Sequence, residues 1–172
     1  MPTYSRQNGQ LAYAGCSELL DAVNVQLLSE LHADPRMTMS ALARRVGMSA
    51  PAVTERVQRL QRAGVITRYR MEVDPAALGM PVAAFVRIRP APGQLPKIAE
   101  LAAQLPQITE CYRVTGEDCF IVKMHAPTME QIETTLDRFL LYGQTTTSIV
   151  VSTPVPPRSL PLPTAPPVRQ AM

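Results

Sequence analysis

Tryptophan is absent, and aromatic residues make up only 5% of the 172 residues. A stacking platform for single-stranded nucleic acid needs exposed rings, so this scarcity argues against one. Cysteine is sparse and odd in number. Cys16, Cys111 and Cys119 include no C-x-x-C pair, so neither a disulfide framework nor a zinc cluster is indicated. His32 and His125 are the only histidines; as metal or haem ligands they lack companions, and they read as ordinary surface or strand residues. No apolar run approaches the ~20 residues of a membrane helix. Residues Met1 to Gln10 are polar and lack the apolar core of a secretory signal. These absences point to a soluble cytoplasmic protein with no membrane partner, no metal and no cofactor.

One further absence is local. Between Arg36 and Arg70 there is a single acid, Glu55, against eight arginines, so this stretch carries +7 while the rest of the chain carries −4. Charge concentrated in so short a segment suits a polyanion better than a small metabolite.

The segment is also helical in pattern. Leu20, Val23, Leu27, Leu28 and Leu31 recur every three or four residues, the period of an amphipathic helix, and Asp34-Pro35 stops it. Thr38 is placed to cap a short helix carrying Met39, Leu42, Ala43 and Val46, which Gly47 ends. Ser49 is expected to cap a third helix, with Pro51 in its first turn, Val53, Val57 and Leu60 as its buried stripe, and Gly64 as its stop. A short helix, a turn at Gly47-Met48-Ser49 and a longer polar-faced helix form a helix-turn-helix pattern. Opposite the buried stripe lie Pro51, Thr54, Glu55, Gln58, Arg59 and Arg62. Thr54, Glu55 and Gln58 are of the types that read base edges in a major groove. Arg56, Arg59 and Arg62, with Arg44 and Arg45 on the preceding helix, suit phosphates. Double-stranded DNA is the expected partner.

Beyond Gly64 the period changes. Val65 to Val73 is β-prone and extended, and Asp74-Pro75 breaks it. Val82 to Arg89 alternates as a strand, and a helix follows over about 94–104 with Leu95, Ile98, Leu101 and Leu105 inward. Strands at 108–115 and 119–126 flank a tight turn at Gly116-Glu117-Asp118. A helix at 128–141 has Met129, Ile132, Leu136, Phe139 and Leu140 as its apolar face, and 145–153 makes a last strand. Strand, helix, strand, strand, helix, strand is the ferredoxin-like order. The fold class is therefore α+β: a winged-type helix-turn-helix domain joined to a ferredoxin-like βαββαβ domain. The expected divisions are a flexible arm at 1–18, the DNA-binding domain at 19–66, a linker strand and hinge at 67–80, the effector and dimerisation domain at 81–153, and a tail at 154–172. Seven of the nineteen tail residues are proline, which favours an extended polyproline conformation.

Leu20-Asp21, Arg36-Met37-Thr38, Leu42-Ala43, Val46-Gly47-Met48-Ser49, Val53, Arg56-Val57, Leu60 and Gly64-Val65-Ile66 resemble the DNA-binding half of the Lrp/AsnC (feast/famine) transcription regulators. Val114-Thr115-Gly116, Phe120-Ile121-Val122 and Thr147-Ser148-Ile149-Val150 resemble that family's effector module, and the likeness covers about residues 19 to 153. It implies a homodimer joined through its sheets, with tetramers or octamers as further steps. It also implies an amino acid or similar effector bound near the hairpin turn. Thr115, Gly116, Glu117, Asp118, Cys119, Thr145 and Thr147 are the expected effector-binding residues. The family usually shows Gly, two variable residues, then Asp. Aligned on Gly116, this chain has Cys119 where that Asp stands, and Asp118 lies one position earlier, facing the other way on a strand. Either Asp118 takes over the role, or Cys119 lines a cleft for a different ligand. A tight hairpin sets Cys111 too far from Cys119 for a disulfide. No His or Lys is placed to activate Cys119, so an enzyme using it with Asp118 and Glu117 is disfavoured. The reading is a sequence-specific regulator without catalytic activity; the alternative is an architectural DNA-organising protein with no effector.

Overall fold

The computed structural model describes residues 19–163; the expected N-terminal arm and the end of the Pro-rich tail lie outside them. Two compact units emerge, one containing the helices up to Arg70, the other spanning Met71–Pro156.

In the helical unit, α1 (Ala22–Ala33), α2 (Met39–Val46) and α3 (Ala50–Arg62) follow one another. Asp21 caps α1, accepting from the Asn24 amide, and Thr38 caps α2, accepting from the Ala41 amide. Gly47 ends α2 with φ 68°, a left-handed conformation that costs a glycine little and that starts the turn into α3. Leu27, Leu31, Leu42, Ala43, Val53 and Val57 form the core of this unit. Ser49 departs from expectation: it holds the N-cap position of α3, but its side chain makes no capping hydrogen bond. The α1 stripe also holds a surprise. Asn24 is buried, three and seven residues before Leu27 and Leu31, on the same face.

The expected linker strand is not formed. Among the described residues, 65–81 pair with no strand, and 75–79 are a turn in which the Met80 amide donates to the Pro75 carbonyl. A β-prone composition needs a neighbouring edge to become a strand, and no strand among the described residues pairs with this segment.

The second unit is a four-stranded antiparallel sheet in the order β2-β3-β1-β4. Its elements are β1 (Val82–Pro90), α4 (Leu95–Gln104), β2 (Ile108–Arg113), β3 (Phe120–Ala126), α5 (Met129–Leu140) and β4 (Gly143–Ile149). Alternation along β1 buries Ala84, Val86 and Ile88 under the helices, together with Phe120, Val122 and Met124 of β3. Ile98, Leu101 and Ala102 of α4 and Ile132 and Phe139 of α5 close this core. Met129 and Leu140 were expected inward but are exposed. Thr135 is buried in their place on α5, its hydroxyl donating to the Gln131 carbonyl 2.8 Å away. That local bond satisfies the hydroxyl, so a polar residue fits the buried face.

Candidate nucleic-acid interface and effector region

The chemistry of α3 divides by face. Val53, Val57 and Leu60 are buried, while Pro51, Glu55, Gln58, Arg59 and Arg62 form one exposed stripe at helical spacing. Arg44, Arg45 and Ser49 are exposed beside it, on α2 and in the turn. Among the described residues no carboxylate pairs with Arg44, Arg59 or Arg62, so their guanidinium groups remain available to an external anion. Arg45 lies 3.4 Å from Glu30, but its side chain stays 63% exposed, so this exchangeable surface pair leaves it accessible.

Two members of the expected set behave differently. Thr54 is half-buried, and its hydroxyl already donates to the Ala50 carbonyl at 2.8 Å. Arg56 turns away from the stripe and toward α1. Its Nη1 donates to Asp21 Oδ2 at 2.7 Å and to Asn24 Oδ1 at 3.1 Å. Burial pushes the Asp21 carboxyl up, but the hydrogen bonds from Arg56 and the Asn24 amide, with the Arg56 charge, outweigh it and hold its pKa below the usual carboxylate range. Asp21 and Asn24 were not expected at this site. The one sequence signal was an asparagine within an otherwise apolar stripe.

The effector residues fall on two faces of the sheet. Thr115, Gly116, Glu117 and Asp118 make a four-residue loop, wider than the tight turn expected, closed by the Val114 amide donating to the Cys119 carbonyl at 2.9 Å. Gly116 has φ 115°, a conformation that favours glycine. Ile88 pairs with Phe120 on one side and Thr145 on the other, so the hairpin end of β3 and the start of β4 flank the same end of β1. Thr145 and Thr147 lie opposite Ile88 and Val86, on the helix-covered face, and Cys119 packs against that core. Asp118 goes the other way. It sits 3.7 Å from Arg87 and 3.8 Å from Arg89 on the open face, and Glu117 also pairs with Arg89. The carboxylate nearest the expected ligand position is thus already shared between two guanidinium groups. Cys111 is exposed and pairs with Val122, far along the hairpin from Cys119; partial desolvation raises its thiol pKa, which disfavours a reactive thiolate.

Other proteins share both units. Residues 20–67 match a winged helix-turn-helix DNA-binding family, and residues 83–160 match the Lrp/AsnC ligand binding domain. The HTH-type transcriptional regulator LrpC of Bacillus subtilis is 34% identical over 133 residues, covering 77% of this chain and 92% of that protein. Its solved structure superposes with a TM-score of 0.73 at 34% identity, covering 77% of this chain and 95% of that one. The leucine-responsive regulatory protein of Rhizobium meliloti is 35% identical over 117 residues, covering 66% of this chain and 75% of that protein. An exposed basic stripe on the second helix of a helix-turn-helix, followed by a βαββαβ sheet matching a ligand-binding domain, leaves one conclusion: this chain belongs to the Lrp/AsnC family of DNA-binding transcription regulators, not to a family of enzymes.

Proposed function

We propose that the chain regulates transcription by laying α3 in the major groove of an operator, as a homodimer whose DNA grip responds to an amino-acid-like effector. The observation that carries the DNA contact is the exposed stripe of Glu55, Gln58, Arg59 and Arg62 directly opposite buried Val53, Val57 and Leu60. Glu55 and Gln58 supply an acceptor and an amide for base edges; Arg44, Arg45, Arg59 and Arg62 neutralise phosphates, with Ser49 and Pro51 at the groove-facing end of the helix. Two such modules bind more tightly than one because the second contact forms at high effective concentration.

The open face of the sheet supports the dimer. Phe85 and Tyr112 are 41% and 52% exposed there, with Ile121 between charged Arg87, Lys123 and Glu110. A mixed apolar and charged surface of this kind suits a self-complementary partner. The effector reading draws on the Rhizobium relative's description as leucine-responsive. In this chain Thr145, Thr147 and Cys119 on one face, and Thr115 with the Gly116 backbone in the loop, are the groups offered to a ligand. The pairing of Asp118 with Arg87 and Arg89 favours a ligand whose recognition does not depend on that carboxylate. The same pairing supports the second reading, an architectural protein whose sheet serves assembly alone.

The test begins with duplexes selected from genomic fragments by the wild-type protein. Arg59→Ala should weaken binding to selected and scrambled duplexes alike and flatten the plot of log affinity against log salt by about one unit. An unchanged slope and affinity would show that α3 does not face the phosphates.

A further inference from the structure

Of the three arginines on α3, only Arg56 has side-chain partners among the described residues, and those partners are unusually complete. Asp21 uses Oδ1 to accept the Asn24 amide at 2.7 Å and Oδ2 to accept Arg56 at 2.7 Å. Asn24 uses Oδ1 to accept Arg56 at 3.1 Å and Nδ2 to donate to the Leu19 carbonyl at 2.7 Å. The side chain of Asn24 therefore makes no contact that the clamp could spare, and Asn24 is 5% exposed. The Arg56 side chain is 33% exposed, about half the exposure of Arg45. Its charge is balanced, and its Nη1 is committed across 35 residues of chain to the first turn of α1.

What this does follows from the kind of force involved. Leu27 and Leu31 of α1 and Val53 and Val57 of α3 share one core with Leu42 and Ala43 of α2, but apolar contact is non-directional and tolerates rotation and sliding. Charge-assisted hydrogen bonds are short and directional. A bond from the middle of α3 to the N-cap of α1 fixes the one freedom that packing leaves loose. We propose that Arg56 is a positioning residue: through Asp21 and Asn24 it sets the angle at which α3 meets the groove, and it makes no phosphate contact. The proposal rests on α3 being the groove-facing helix, and the controls below separate the two.

Asp21→Asn is the informative variant. Asparagine caps a helix as well as aspartate does, but it replaces the oxygen facing Arg56 with an amide donor. The full-length protein, Asp21→Asn, Arg56→Gln, the double variant and Arg59→Ala are titrated against a genomically selected duplex and a scrambled one across a salt series. Circular dichroism confirms that each is folded at the assay temperature. Each single variant should lose about twofold to fivefold in its preference for the selected duplex, a range matched to one partly exposed charged pair. The double variant should lose no more than either single, because both break one clamp. Salt slopes on scrambled DNA should stay at the wild-type value. A flattened slope for Arg56→Gln, with Asp21→Asn neutral or tighter-binding, would make Arg56 a phosphate ligand and overturn the proposal. So would variants that melt earlier yet keep full preference while folded, which would reduce the clamp to a stability element. If Arg59→Ala also changed nothing, the fault would lie with the groove assignment instead.

Discussion

The two units use the same charged residues to opposite ends. In the helical unit Arg44, Arg59 and Arg62 have no ion-pair partner among the described residues, and the scarcity of acids in their segment leaves their field to act outward. In the sheet unit Arg87 and Arg89 are matched by Glu117 and Asp118, and Lys123 by Glu110. An unmatched guanidinium is poised for a polyanion, whereas a matched one ties a loop to a sheet. Arg56 shows that the distinction is made residue by residue: it lies in the basic helix but behaves like the arginines of the sheet.

The largest expected effect tests whether the units are separate. Phe139, buried against the sheet, should cost about 3–5 kcal/mol when cut to alanine, from lost burial and the cavity left behind. Amide exchange should then show protection lost across the sheet while α1–α3 keep theirs. Equal loss in both would merge the units into one cooperative body.

Next in size is base reading. Gln58→Ala should reduce discrimination between a selected operator and its single-base variants by about 1–3 kcal/mol if the amide makes a bidentate contact. Discrimination equal to wild type in a competition assay would move specificity to Glu55 or to DNA shape.

Acid should strike the two units at different points. Burial, then the Lys123 charge, lowers the pKa of His125 below its ordinary value, against opposing help from the Met80 backbone and Glu110. The folded sheet unit therefore binds this proton less readily than the unfolded chain. The stability this contributes is complete above about pH 6.5 and is lost as pH falls through the lowered folded value. Asp21 in the helical unit follows the same sign lower down: its contribution is present above about pH 4 and lost as pH falls through its own depressed value. Melting temperature against pH should therefore decline first for the sheet, and His125→Gln should remove that first decline. A first decline that persists in His125→Gln would assign it to another group.

The smallest effect concerns the matched pairs themselves. Arg89→Ala should change stability by less than about 1 kcal/mol, since the partners are solvent-accessible. It leaves Asp118 with Arg87 as its one remaining partner, so calorimetry with an amino-acid panel on this variant and on the Arg87→Ala, Arg89→Ala double variant asks whether the pairing withholds that carboxylate. Titrations that stay flat would favour the architectural reading.

Much of this was legible before any coordinates. The helical stripes of Leu27, Leu31, Val53, Val57 and Leu60, and the alternation of Val82 to Ile88, are local periodicities, and hydrophobic burial acts on them directly. Thr38 as a cap and Gly47 as a stop were equally plain, since each depends on a few adjacent backbone groups. The same local reasoning failed at Ser49, where a suitable residue in the right place makes no capping bond. It failed again at Met129 and Leu140, because an apolar face wider than the available core leaves its margins in solvent.

By itself, then, the chain's residue order determined the elements, their sequence, and the concentration of positive charge on one short segment, because propensity, periodicity and charge are properties of neighbours. Only the tertiary structure decided which charges are spent internally. Arg56 meets Asp21 across 35 residues, and Arg87 and Arg89 meet the Glu117-Asp118 loop across a strand pairing. Arg56 and Arg59 carry the same charge and sit three residues apart on one helix. Nothing in their composition separates them; an angle of about 60° around the helix axis does, enough to turn one toward α1 and leave the other to solvent.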